Sequence, residues 1–447
     1  MKHYTFKLLW IVLVVFIAVA LPRWYYIENY AVSLPFYDQW DAEGDFLLKP
    51  WIQGKLSISA LWQPHNEHRI FPTRLLAILA FEMTGYWNNL TLARLNIPLA
   101  ALTPVLLTII MFRNRDLHGE KWIMLLVIIA GSALPFSWEN IVTGFQNQFY
   151  FIVLFTFSAL AIAALRPLNV LEIIATFTLC VLCVITMASG LITAVAVATV
   201  YIMKCYMKRR FPLSALFVIA LFLIIGIIGY ITMPYVSTHE MYHPQNVWEI
   251  CKAVIRILTW PLVRQYWALI PLWFPASISA ILLFYKKRFT QTDLLMAGIY
   301  VWVLFQTAAI AYGRGQYLFE LSSRYTDLIS LGLISNAWFV LRLKDEYKSN
   351  ATRFTAIIFF AVFAFGHIYR FNSDLDAMKS HYESCVKQIS NVRSYLITKN
   401  KSYLFSKPKS DIPYPYPERL QMLLDDQIIQ SILAPLEDKS SVEKVEN

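Results

Sequence analysis

Apolar runs of roughly 18 to 22 residues recur along most of the chain, each long enough to cross a hydrocarbon core of about 30 Å as a helix. Their pattern predicts about eleven spans, near 7–22, 92–112, 122–137, 148–165, 170–187, 190–207, 213–233, 266–285, 292–312, 325–342 and 353–370. Between the spans, polar positions fall into two alternating sets. One is basic: Lys2 and Lys7, then Arg113, Arg115 and Lys121, Arg166, the run Lys208 to Arg210, the run Lys286 to Arg288, and Arg342, Lys344, Lys348 and Arg353. Excess Lys and Arg marks cytoplasmic loops, so these segments are expected inside. The other set, 23–91, 137–147, 188–190, 234–265 and 313–324, collects the residues able to do chemistry on the opposite, outer face.

The expected fold is an all-α polytopic membrane protein. Its transmembrane domain covers 1–370, with a long first outer loop at 23–91, and a small outer tail follows over 371–447. Met1 to Pro22 has a basic start and an apolar run but no small-x-small cleavage site leading into a soluble domain, so it is expected to stay as an anchor. Ile70 to Trp87 is amphipathic and short, as expected of a helix lying in the membrane interface. In the tail, "SDIPYPYPERL" reads as a connector to a short helix near Arg419–Leu433, and "EDKSSVEKVEN" as a frayed end.

Composition agrees: 57% of residues are hydrophobic and 15% charged, and the mean hydropathy is +0.49, outside the range of soluble globular chains. The net charge of +10 is dispersed among loops instead of forming one basic face, which argues against nucleic acid as a partner. Five cysteines form no framework; only Cys251 and Cys385 fall in segments expected outside. No Gly-rich phosphate loop precedes a helix, so nucleotide hydrolysis has no visible handle.

The outer set contains four stretches of interest. In "LPFYDQWDAEGDF" four acids crowd beside the first span, and either Asp38 or Asp41, held near apolar surface with a raised pKa, could deprotonate a hydroxyl; the plainer reading is interfacial decoration beside Trp40 and Trp51. Glu43 and Asp45 read as solvated loop charge. In "WQPHNEHRIFPTRLL" His65, His68 and Arg69 fall within one helical turn after Pro64, with Glu67 between the histidines. They read as a polar cluster that positions the acids or binds a sugar; a metal held by His65 and His68 is the alternative, and it needs further ligands. "SWENIVTGFQNQFY" offers Glu139 and Gln146 amid aromatics, a mixture suited to carbohydrate and equally to an ordinary hairpin. "AYGRGQYLFELSSRYTDL" places Arg314 and Arg324 on the face where cations are disfavoured, where guanidinium forks suit a lipid phosphate or salt bridges to Asp38, Glu139, Glu320 or Asp327. Gly190 in "MASGL" would let another group approach the backbone closely.

The set "YDQWD … HNEHRIFPTR … SRYTDL", with its acidic motif in a long first outer loop and arginines before a late span, resembles the GT-C superfamily of integral-membrane glycosyltransferases of bacterial surface-glycan type. The resemblance covers most of residues 1–370 and implies a GT-C-like fold in the bacterial inner membrane, with the N-terminus cytoplasmic and the tail periplasmic. It implies inverting transfer of a hexose or pentose from a polyprenyl-phosphate-linked donor to a periplasmic glycan or lipid acceptor, such as lipopolysaccharide or O-antigen. The first-loop base maps onto Asp38 or Asp41 and the donor-phosphate arginine onto Arg324, with Arg314 as helper; no cofactor is implied. The two aspartates are separated by Gln39 and Trp40 where the family often has adjacent acids, so a metal-binding acidic pair is not expected. An O-antigen polymerase or ligase and a lipid-linked-sugar transporter are the competing classes.

Overall fold

A computed structural model describes residues 2–114, 116–117 and 119–436. Arg115 of the first basic loop and the segment "EDKSSVEKVEN" lie outside the described residues. Among the described residues ten helical runs, some of them adjoining helices taken together such as Lys121–Val142, are long and apolar enough to cross a membrane, as expected of a multi-pass membrane protein. In chain order the main helices are α1 (Lys2–Tyr30), α2 (Phe71–Thr84), α3 (Asn89–Arg113), α4 (Lys121–Ala133), α5 (Gln148–Leu165), α6 (Val170–Val184) and α7 (Leu191–Lys208). They are followed by α8 (Leu213–Ile231), α9 (Val247–Leu258), α10 (Leu269–Tyr285), α11 (Gln291–Arg314), α12 (Thr326–Tyr347), α13 (Asn350–Thr398), α14 (Pro417–Asp425) and α15 (Gln427–Ile432). The run expected to span at 170–187 is α6, only 15 residues, or about 22 Å of helix.

The bundle is organised around α12, which packs on α4, α10, α11 and α13. Its apolar window is 94% buried although it is the least hydropathic of the ten candidate spans. Small and polar side chains make this possible, because lipid gives no hydrophobic reward for helix association and close packing with hydrogen bonds must supply it. Ser335 donates to the Met296 carbonyl at 2.8 Å and Asn336 to the Leu272 carbonyl at 2.9 Å. A Cβ at Gly332 would lie 2.7 Å from the Trp273 ring, so only glycine allows α10 this near.

The two loop sets end up at opposite ends of the bundle. At the basic end Lys344 pairs with Glu120, Arg288 with Glu346, and Asn114 donates to Thr292 at 2.8 Å. There Asp293, fully buried, accepts from Arg342 Nε at 3.0 Å, Arg342 Nη2 at 3.1 Å and Trp338 at 2.8 Å.

The other end differs from the expectation in three places. Helix α1 does not stop at Pro22 but continues to Tyr30, which carries Arg23 into the bundle, 3% exposed. The segment 65–68 is a tight antiparallel turn, not a helical one: His65 and His68 exchange backbone hydrogen bonds of 2.7 and 3.0 Å around Asn66, whose φ is +52°. Its helix, α2, begins only at Phe71, at 14 residues too short to span, with Leu75, Leu79 and Met83 exposed along one side. Residues 371–398 continue α13, which runs unbroken for 49 residues, about 74 Å. Beyond it α14 and α15, at the place of the expected short helix, fold back onto the first loop. Trp40 and Trp87 share one apolar core there with Cys385, Ile389, Leu420 and Ile429. All five cysteines are free.

Removing Asp293 would leave the Arg342 guanidinium buried and uncompensated, a loss of about 3 to 5 kcal/mol. Asp293→Ala is expected to lower the melting temperature of the purified protein in detergent markedly, and an unchanged melting curve would show that the pair holds little.

Candidate active site

The first loop reaches the site through a turn and a π-helix. Tyr37, with φ at +48°, donates its backbone N–H to the Pro413 carbonyl at 2.8 Å, and the π-helix Trp40–Leu48 follows. This arrangement sends the four acids to different fates. Asp41 accepts from Arg419 Nε at 2.9 Å and from the Tyr414 hydroxyl, and Asp45 accepts from Arg419 Nη2 at 2.7 Å. Glu43 is buried, not solvated as expected, and its Oε2 accepts from Gln39 at 2.8 Å and Trp87 at 3.1 Å. Asp45 is likewise engaged instead of free in solvent.

Asp38 alone points outward, its side chain 54% exposed, with His65 Nε2 3.7 Å away. Partial enclosure pushes its carboxyl up, but the closeness of His65 and the positive fields of Arg324 and His68 outweigh this and hold it below the usual carboxylate range. The expected raised pKa is therefore replaced by a lowered one, and Asp38 stands ionised at neutral pH. The His65 ring meets Phe145 edge to face at 5.9 Å.

Glu67 is the hub of the neighbouring wall. Its carboxylate is 3.0 Å from Arg314 Nη2 and 2.8 Å from His239 Nδ1. Burial raises the Glu67 carboxyl, and the charges of His68, Arg314 and His239 more than reverse this. His68 accepts the Ala188 backbone N–H on Nδ1 at 3.2 Å, and burial, with the fields of Arg314 and His65, pushes its pKa down, against the pull of Glu67 and Asp38. Arg69 leaves the cluster to donate to the Thr232 carbonyl at 2.7 Å. A Cβ at Gly190, in the same 186–190 turn, would lie 1.9 Å from the Cys183 carbonyl oxygen, so the expected close backbone approach is present.

The opposite wall is built from residues far apart in sequence. Glu139 accepts from the hydroxyls of Ser322 at 2.7 Å and Ser323 at 2.6 Å, and from the Arg324 N–H at 3.2 Å. Arg324 is exposed; its Nε donates to Ser322 Oγ at 3.1 Å. Among the described residues no carboxylate comes within ion-pair distance of its guanidinium, so none of the salt bridges considered for it forms. Arg314 pairs with Glu67 instead of the four acids considered, while Asp327 is taken by Arg23 and Glu320 by Arg370. Gln146 accepts from Gln148 at 3.0 Å.

Thus Asp38, His65, Glu67, His68, Arg314, Glu139 and Arg324 gather at one end of the bundle, whereas Asp41 faces the C-terminal unit and Arg69 braces the α8 terminus. Four contributors were not singled out in the sequence: His239, Arg419, Tyr414 and His381, the last stacked edge-on against Phe36 at 4.9 Å. His239 lies in the polar stretch "STHEMYH", a usable signal; the others depend on the chain folding back. The metal alternative for His65 and His68 gains no ligand set: among the described residues no group of three or more His, Cys, Asp or Glu is placed to hold an ion.

Compared with protein-family models, with curated proteins and with solved structures, the chain gives no match.

Burial pushes the Glu43 carboxyl up to about 7, against hydrogen bonds from Trp87 and Gln39 that favour its ionised form. Its folded pKa exceeds the ordinary value of 4.5, so its contribution to stability is full below about 4.5 and is lost as pH rises through about 7. Glu43→Gln is expected to match the native protein in thermal stability at pH 4 and exceed it at pH 8, by an amount on the order of a few kcal/mol. Parallel stability curves over that window would show that Glu43 does not titrate there.

Proposed function

We propose that the protein is a glycosyltransferase that moves a sugar from a polyprenyl-phosphate-linked donor to a periplasmic glycan or lipid acceptor, with inversion. The observation that carries this is the presence, at the polar end of a membrane bundle, of an exposed carboxylate whose neighbour is His65 and an exposed guanidinium that, among the described residues, has no carboxylate within ion-pair distance. Asp38 and Arg324 are close enough for each to feel the other's charge, and both are exposed.

In this mechanism the acceptor hydroxyl gives its proton to Asp38 as its oxygen attacks the anomeric carbon from the face opposite the phosphate. The bond from that carbon to the phosphate oxygen breaks, and polyprenyl phosphate leaves with the electron pair, its charge met by the Arg324 fork. Arg314, held by Glu67, contributes its field from behind. No step of this mechanism calls on a cofactor. The orientation that goes with this mechanism puts the basic end in the cytoplasm of a bacterial inner membrane and the polar end, with the C-terminal unit, in the periplasm. A transport path is less well supported, because the buried ion pairs, Arg23 with Asp327 and Arg342 with Asp293, lie near helix ends, whereas transported substrates bind near mid-membrane.

A deletion strain complemented with variants tests this by mass analysis of surface glycans and lipid-linked sugars. Loss of one sugar from the glycan with accumulation of its lipid-linked donor is expected on deletion; an unchanged profile under expressing conditions overturns the proposal. Asp38→Asn should cut transfer by about a hundredfold or more, while Asp41→Asn retains most of it; the reverse order would move the base to Asp41. Arg324→Lys, which keeps the charge but loses the fork, should cost about ten- to a hundredfold, and near-native transfer would argue against the phosphate contact.

A further inference from the structure

On the flank of the bundle, away from the candidate site, α4 and α13 both pack on α12 but diverge around it, leaving a cleft of about 990 Å³. Leu126 and Ala130 form one wall, Phe360 and Ala364 the other, and Leu341 of α12 contributes to the floor. Only the end nearest the basic loops carries cations, Lys344 and Arg353. Lys344 is bound to Glu120; Arg353 is exposed and, among the described residues, has no carboxylate within ion-pair distance.

The cleft is open on the flank of the bundle and lined mainly by apolar side chains, and water gains no hydrogen bonds from such walls. Within a bilayer the filler is lipid chain, and the cations decide which lipid. From Arg353 to His367 at the far end, α13 rises roughly 21 Å, which suits a headgroup and the chains of one leaflet. Basic pockets between helices at the cytoplasmic end select anionic headgroups.

We propose that this cleft is a binding site for an anionic glycerophospholipid, its phosphate at Arg353 and Lys344 and its chains between α4 and α13. The site lies at the end opposite Asp38 and Arg324 and is independent of any transfer reaction there.

Native mass spectrometry of the full-length protein in detergent, mixed with equal amounts of phosphatidylglycerol and phosphatidylcholine, tests it. The native protein should retain phosphatidylglycerol over phosphatidylcholine by about fivefold or more, the effect of one cation near the surface. Arg353→Gln should bring that ratio close to one. Ala364→Trp should reduce retention of both lipids, with gel filtration and circular dichroism showing that the variant is folded. Equal retention by the native protein, an unchanged ratio in folded Arg353→Gln, or undiminished retention in folded Ala364→Trp would overturn the proposal. So would displacement of phosphatidylglycerol by an equal amount of polyprenyl phosphate, which would assign the cleft to an isoprenoid lipid.

Discussion

The polar end of this bundle rests on one buried cation. Arg23 lies inside the helix packing, 3% exposed, and a charge in that position needs partners in fixed places. It finds them on three other helical segments: Asp327 Oδ1 at 3.4 Å, the Tyr150 hydroxyl at 2.8 Å and the Ser132 carbonyl at 3.0 Å. Asn140 then donates both to Asp327 Oδ2 and to the Arg324 carbonyl, each at 2.9 Å. The turn that presents Arg324 is thereby fixed from below, while Glu139 fixes it from the side. A cavity of about 30 Å³ beside Arg23 has room for about one ordered water, so the junction is nearly dry and its geometry is set by protein groups.

A similar logic distributes the acids of the first loop. Four carboxylates within eight residues, 38–45, repel one another, and the fold resolves this by giving each a different environment. Arg419 takes Asp41 and Asp45 together, and burial favours a neutral Glu43. Asp38 keeps its charge and its access to solvent. The C-terminal unit, reached only because α13 continues to Thr398, therefore does more than cover the first loop: its arginine removes the competing carboxylates and leaves one. Without that fold-back the choice between Asp38 and Asp41 rests on sequence order alone, which carries little information about which carboxylate is bonded.

The spans were legible because hydrocarbon permits few backbone solutions: a long apolar run must satisfy its own amides, and helix is the local way to do so. The gathering of the alternate loops at two ends was legible for a related reason, since charge asymmetry follows the alternation of the chain. The site was legible as a set of segments but not as a set of bonds. Arg23 looked like a loop residue because Pro22 resembles a helix end, yet a proline within a helix removes only one hydrogen bond and neighbouring packing can carry the helix past it. His65 and His68 carried a helical spacing, but Asn66 tolerates the left-handed conformation that closes a tight turn instead. The pairings Arg314 with Glu67, Arg419 with Asp41 and Glu139 with the Ser322–Arg324 turn join residues up to 378 apart, a separation at which no local pattern is informative.

The Arg23 junction also bears on the electrostatics at Arg324. Arg324 stands just before the first turn of α12, where the helix dipole is positive and favours an anion. Asp327, only three residues on, would oppose that field if its charge faced the opening. Instead Asp327 is turned inward onto Arg23 and Asn140, so its charge is neutralised inside the bundle and does not reach Arg324 unopposed. Glu139, the other acid at the turn, is occupied by two hydroxyls and a backbone N–H. The opening thus presents an exposed guanidinium and a helix N-terminus on one side and the Asp38 carboxylate on the other. Such a separation of charge suits a reaction in which negative charge grows on one partner while a proton leaves the other, and it exists only because a cation in α1 is buried where the sequence first placed a loop.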